Sequence, residues 1–178
     1  MNYCSNCGAR VTFKVPPGDE RKRYVCDVCN TIYYENPKVV VGCIPQWEDK
    51  VLLCRRSIEP RYGKWTLPAG YMENGETVSE GAKREVLEEA GTQVHIISLY
   101  GLYNLSSINQ IYIIFLARMI NDNFSPGSES LDARLFDRNE IPWDELAFIP
   151  IQDTLRQYIN DWPSGKFPFH MTDITLEK

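Results

Sequence analysis

Nowhere in the 178 residues does an apolar run approach the roughly 18 that a membrane-spanning helix needs. The longest candidate, IYIIFLA at 111–117, stops at Arg118. A transmembrane helix is excluded on that ground, and no membrane partner is expected. The first residues, Met1, Asn2, Tyr3 and Cys4, lack a basic region followed by an apolar stretch. A secretory signal is therefore not expected, and the reading is a cytoplasmic protein. Internal repeats and low-complexity tracts are absent too. Positive charge is in deficit: 19 Lys and Arg stand against 24 Asp and Glu, a net −5. An acidic chain has no global pull toward nucleic acid, so nucleic acid is not the first-choice partner. What remains is ordinary for a globular protein, with 43% hydrophobic and 24% charged residues. The length suits one domain with a small appendage and a sizeable core.

The appendage is marked by cysteine. Of six cysteines, four fall in two pairs, Cys4 with Cys7 and Cys26 with Cys29, 18 residues apart. Two residues between cysteines form a tight turn that aims both sulfurs at one tetrahedral ion, and this pairing is the spacing of a zinc site. The competing readings are a redox Cys-x-x-Cys or two disulfides. With all four positions filled by cysteine, no place is left for a substrate, so such a zinc is structural. Residues 10–14 and 21–25 read as short strands, with a turn at 16–19. The module at 1–36 holds five basic and four acidic residues, +1, leaving −6 for the rest. Cys43 and Cys54 lie in apolar runs without a Cys-x-x-Cys partner and read as buried core thiols.

Pro37 marks the boundary, and residues 37–178 form the second domain. Strands are expected at 38–44 and 51–54, with the turn at 47–50 between them. Further strands are expected at 93–103, 110–119 and 131–136. A helix spans Thr77 to Ala90, capped by Thr77 or Asn74 and stopped by Gly91. Pro150 opens a second helix, Pro163 ends it, and Ile151, Leu155, Tyr158, Ile159 and Trp162 share its core face.

The first helix carries the chemistry. Glu85, Glu88 and Glu89 stand at i, i+3 and i+4, so three carboxylates share one face. Like charges that close repel, and a divalent cation is the natural compensation; carboxylate oxygens suit Mg²⁺ or Mn²⁺. The plain alternative is a solvated acidic face. Arg84 adjoins the cluster and can orient one carboxylate while balancing charge. Gly70 can bring its carbonyl close to a ligand. The carboxylates are expected to stand clear of the core.

The full spacing resembles the Nudix box, G-x5-E-x7-R-E-U-x-E-E-x-G-U, where U is a bulky apolar residue. Gly70, Glu76, Arg84, Glu85, Val86, Glu88, Glu89 and Gly91 match, and Thr92 departs at the last apolar position. Residues 67–69, Arg55 with Arg56, and 63–65 also resemble the family, over about 37–162. The fold this implies is α+β: a Nudix α/β/α sandwich with a mixed sheet, plus the N-terminal zinc ribbon. NADH pyrophosphatases of the family carry a Ser-Gln-Pro-Trp-Pro-Phe-Pro stretch that is missing here. Residues 110–118, 124–132, 135–136, 140–142, 146–148 and 166–170 instead resemble the plant chloroplast FAD pyrophosphatase and its bacterial relatives, a group associated with FAD and ADP-ribose.

The resemblance implies metal-dependent hydrolysis of a nucleoside diphosphate linked to a second group, with two monophosphates leaving. The implied ligands for Mg²⁺ or Mn²⁺ are Gly70, Glu85, Glu88 and Glu89. The base is a box glutamate or an acid of the loop after the 110–119 strand, Glu129 first and Asp132 second. Glu76 and Arg84 hold loop and helix in register. Arg55 or Arg56 contacts phosphate, or else forms a surface salt bridge. Tyr100, Tyr103 and Tyr112 are candidates to stack on adenine or flavin, against the plainer reading of half-buried strand filler. The expected partner is a small nucleotide, and the expected assembly a homodimer. Three alternatives stay open: an NADH pyrophosphatase, a hydrolase of nucleotide-capped RNA with the ribbon gripping the chain, and a non-catalytic nucleotide-binding module.

Overall fold

The computed structural model describes residues 1–175. The chain divides into two compact units, Met1–Asn36 and Pro37–Lys178. The first is a three-stranded antiparallel sheet of β1 (Val11–Lys14), β2 (Arg23–Cys26) and β3 (Ile32–Tyr33), in the order β1-β2-β3. The third strand is too short for a pattern in sequence and forms by pairing Tyr33 with Tyr24 and Ile32 with Val25.

The second unit is built on an eight-stranded sheet. Its strands are β4 (Lys38–Trp47), β5 (Lys50–Arg56), β6 (Trp65–Thr66), β7 (Ala69–Tyr71), β8 (Val94–Leu105), β9 (Gln110–Met119), β10 (Ser130–Asp137) and β11 (His170–Asp173). The order is β10-β5-β4-β9-β8-β11, with β6 beside β5 and β7 beside β4. The sheet is mixed: β4 runs parallel to β9 and β11 parallel to β8, while the other pairs are antiparallel. Two helices complete it, α1 (Val78–Ala90) and α2 (Ile149–Asp161).

Alternation along the central strands sorts side chains to the two faces. Val40 and Ile44 of β4, with Val51 and Leu53 of β5, join Ile151, Leu155 and Tyr158 of α2 in one core. Val41, Cys43, Leu52 and Cys54 point the other way and join Ala82, Val86 and Ala90 of α1. The sheet is thus sandwiched between helices, and both Cys43 and Cys54 are buried core thiols. Among the described residues, no helix is long and apolar enough to cross a membrane.

The strands run longer than their sequence pattern. β4 continues through Pro45 to Trp47, where a stop at 44 is expected, and the turn shrinks to Glu48 and Asp49. Proline is tolerated there because β5 pairs with β4 only at Gln46 and Trp47, so no ladder donor is needed from residue 45 on that side. β6, β7 and β11 have no period-2 pattern of their own. They exist because the larger sheet offers them an edge.

Candidate active site

Helix α1 starts on a complete capping box. Thr77 Oγ1 accepts from the Glu80 N–H, and the Glu80 carboxylate accepts from the Thr77 N–H at 2.8 Å. Gly91, in the left-handed region at φ 60°, ends the helix. Between these stops the helix has two unlike sides. Ala82, Val86 and Ala90 enter the core, while Glu85, Glu88 and Glu89 face a cleft of about 1020 Å³.

The expectation that the carboxylates stand clear of the core needs correcting. Glu85 and Glu89 are each only 7% exposed, whereas the Glu88 side chain is 57% exposed. The i, i+4 pair lies against the sheet, and the i+3 residue lies at the rim. Burial pushes the Glu89 carboxyl up to about 8, reinforced by the nearby negative charges of Glu85 and Glu129, and burial also raises Glu85. Glu89 accepts one weak bond, from the Ala69 N–H at 3.3 Å.

Arg84 organises the other oxygens. Its Nε and Nη2 donate to the two oxygens of Glu76 at 3.0 and 2.9 Å. Its Nη1 reaches Glu85 at 2.7 Å and Glu88 at 2.9 Å, and Nη2 also donates to the Tyr71 carbonyl at 3.0 Å. The fork matches a bidentate carboxylate and holds the Glu76 carboxyl down at about 2. One guanidinium therefore ties the turn after β7 to the helix. Gly70 lies directly under Glu85: a Cβ there would sit 2.5 Å from both carboxylate oxygens. Glycine at this position is what lets the carboxylate lie on the backbone.

The loop after β9 is a strap across the end of α1. Ser125 N–H donates to the Ala90 carbonyl and Gly127 N–H to the Glu89 carbonyl, both at 3.0 Å. These are carbonyls that the helix end leaves without internal partners. Next in the chain, Glu129 enters the cleft beside Glu85 and Glu89. Asp132, the second loop acid, instead lies on β10 and pairs with Arg134 at 3.1 Å. Of the two arginines on β5, Arg56 lines the cleft, its guanidinium 5.1 Å from the Phe148 ring. Arg55 points the other way and donates to the Gly63 carbonyl at 2.8 Å. Strand alternation, not charge, separates them.

The tyrosines divide as well. Tyr112 lines the cleft. Tyr100 and Tyr103 are fully buried among α2 residues, and their hydroxyls donate to Asp161 at 2.7 Å and to Gln157 at 2.6 Å. They are core, with no face left for a ring to stack on. Arg61, Lys64, Tyr71 and Phe148 also line the cleft and were not read as site residues from sequence. Arg61 and Lys64 lie on the irregular 57–64 segment between β5 and β6, where no periodicity tells cleft from solvent. Thr92, the departure from the motif, is 3% exposed with its hydroxyl unpartnered, as an apolar packing position would have it.

In the first unit the sulfurs of Cys4, Cys7, Cys26 and Cys29 lie within 4.8 Å of one another. Tyr33 Oη donates to Cys4 Sγ at 3.0 Å, and Thr31 Oγ1 lies 3.1 Å from Cys29 Sγ. Both contacts favour the thiolate: Cys4 is lowered, and Cys29 falls to about 5. Four converging thiols, two of them with thiolate-favouring partners, fit Zn²⁺. In the cleft, hard and poorly solvated carboxylates fit a divalent cation of the Mg²⁺ type.

A glutamate-lined helix over a charged cleft suits metal-assisted hydrolysis of a phosphoric anhydride. The NUDIX domain family matches residues 36–158, and the chain belongs to it. The zinc-ribbon family described as Nudix N-terminal matches residues 2–35. A NUDIX hydrolase structure from Nitrosomonas europaea superposes with a TM-score of 0.96 at 51% identity, over 99% of this chain and 100% of that one. An ADP-ribose pyrophosphatase of Methanocaldococcus jannaschii is 33% identical over 74% of this chain and 78% of its own. An NAD-capped RNA hydrolase NudC of Vibrio atlanticus is 30% identical over 90% of this chain, which spans 57% of that protein.

Proposed function

We propose that this Nudix hydrolase cleaves the diphosphate of a nucleoside-diphosphate-linked small molecule, FAD or ADP-ribose foremost, releasing two monophosphates. The observation that carries the reading is one cleft that brings Glu85, Glu88, Glu89 and Glu129 together beside the cations Arg56, Arg61 and Lys64. Mg²⁺ or Mn²⁺ held by Glu85, Glu88, Glu89 and the Gly70 carbonyl would neutralise the diphosphate and activate a water. Arg56 and its neighbours contact the remaining phosphate oxygens, and Glu129 is the first-choice base. Tyr112 is an end-group contact. The likeness to an ADP-ribose pyrophosphatase over three quarters of both chains supports the small-molecule substrate.

The test is kcat/KM for FAD, ADP-ribose, NADH and diadenosine polyphosphates with Mg²⁺ and with Mn²⁺. FAD or ADP-ribose is expected to lead, and an NADH value tenfold above both overturns the substrate assignment. A second reading, hydrolysis of NAD-capped RNA, is favoured by the NudC likeness over 90% of this chain. It predicts a preference for a capped oligonucleotide over the free dinucleotide, and binding that falls steeply with salt. A homodimer belongs to the first reading. Ile97, Leu99 and Met171 stand exposed on β8 and β11, and sedimentation velocity would measure the assembly. The free thiols that suit zinc fit a reducing, cytoplasmic setting.

A further inference from the structure

The Ser-Pro-Gly-Ser stretch at 125–128 reads in sequence as a turn that leads to Glu129. Its contacts are of another kind. Gly127 N–H donates to the carbonyl of Glu89, so the loop is bonded to the backbone of a residue whose side chain faces the cleft. Approach is so close that a Cβ on Gly127 would fall 1.6 Å from the Glu88 carbonyl oxygen and 3.3 Å from the Glu89 Cα. Gly127 is not in the left-handed region; what position 127 requires is the absence of a side chain. The obstructing atoms are helix backbone and cannot turn aside.

Downstream the segment is tied again. Ser130 N–H donates back to the Gly127 carbonyl at 3.1 Å. Ser57, just past β5, donates its N–H to the Glu129 carbonyl at 2.9 Å and its hydroxyl to the Ser128 carbonyl at 3.2 Å. The residue enclosed by these ties is Glu129, which carries its carboxylate into the cleft. A loop is a poor platform for a group that must be placed to a fraction of an ångström. Here the loop is fastened at both ends, to the same helix that bears the other carboxylates and to the strand that bears Arg56.

We infer that Gly127 is a positioning residue for turnover: its bare backbone, seated on the Glu88 and Glu89 carbonyls, fixes the height of Glu129 over the acidic face, with Ser57 as the second tie. The inference rests on the assignment of Glu129 made above and adds to it the residues that hold that acid in place. Gly127 and Ser57 themselves do not line the cleft, so their effect is expected on the chemical step and not on binding.

The experiment compares wild type, Gly127→Ala, Ser57→Ala, Glu129→Gln and the double variant Gly127→Ala/Glu129→Gln, using the best substrate of the panel at saturating Mg²⁺. Gly127→Ala is expected to lower kcat by about a hundredfold, the scale of a misplacement near 1 Å, with KM changed by less than about threefold. The double variant is expected to match Glu129→Gln alone, because once the carboxylate is gone there is nothing left to misplace. Ser57→Ala tests the second tie without crowding the helix; a several-fold loss in kcat at unchanged Tm is expected. Should Gly127→Ala fail to fold, Ser57→Ala alone and in the Glu129→Gln background makes the same comparison. Losses that multiply in the double variant, or a change confined to KM, overturn the positioning role while leaving Glu129 as base. Wild-type turnover in Glu129→Gln overturns both.

Discussion

At Glu89, burial favours the neutral acid, and a bound cation is what would reverse that preference. The carboxyl titrates in the folded chain near 8, against 4.5 for an unperturbed glutamate. A carboxyl whose folded pKa is raised helps stability most where it is protonated in both states. That help is present below about pH 4.5 and is lost as pH rises toward 8. Glutamine at 89 keeps the shape and removes the charge. In EDTA at pH 8, Glu89→Gln should therefore melt several degrees above wild type, and the gap should close toward pH 5. With Mg²⁺ present the same variant should lose orders of magnitude in kcat. Glu88→Gln should lose activity without gaining stability, because its carboxylate is half exposed and already paired with Arg84. Near wild-type turnover in Glu89→Gln would remove that residue from the metal set.

The α1 element depends on its ends, and its first turn can be tested without touching the cleft. Thr77→Ala deletes the side-chain half of the capping box and should cost about 1 kcal/mol. A drop of a few degrees in Tm with kcat unchanged is the expected result, and an unmoved Tm would show the cap to be idle. This helix was legible from sequence because caps, stop and charges all lie within one local stretch. The same locality made the four cysteines legible. β6, β7 and β11 were not, since two to four residues cannot show a period and their pairing is supplied by distant strands. Arg55 and Arg56, adjacent and alike, could be told apart only by the register of β5. Tyr100 and Tyr112 are both aromatic strand residues. Both lie on the α2 side of the sheet, and which one meets the cleft follows from its place along the strand. The Gly127 contact was hidden for a like reason: a glycine needed for its φ and a glycine needed for its bareness are written with the same letter.

For the whole molecule, two metals are expected with different duties. Metal analysis should find about one zinc per chain, held by Cys4, Cys7, Cys26 and Cys29. Cys26→Ser should lose that zinc and lower the folded yield, while the folded fraction keeps its turnover. A folded, zinc-free wild-type preparation would refute the site. The larger unit is ordered by pairing of a different range. Its central ladder joins Lys38 with Gln110 and Gln46 with Arg118, partners 72 positions apart in the chain. Everything the cleft needs from β5 through α1 lies inside that span. The chain must close this long loop before β4 has its parallel neighbour, and such closures are paid in entropy ahead of any contact. This pairing is therefore expected to limit the rate of refolding. The acidic helix, though locally encoded and quick to form, gains its site only when that pairing forms.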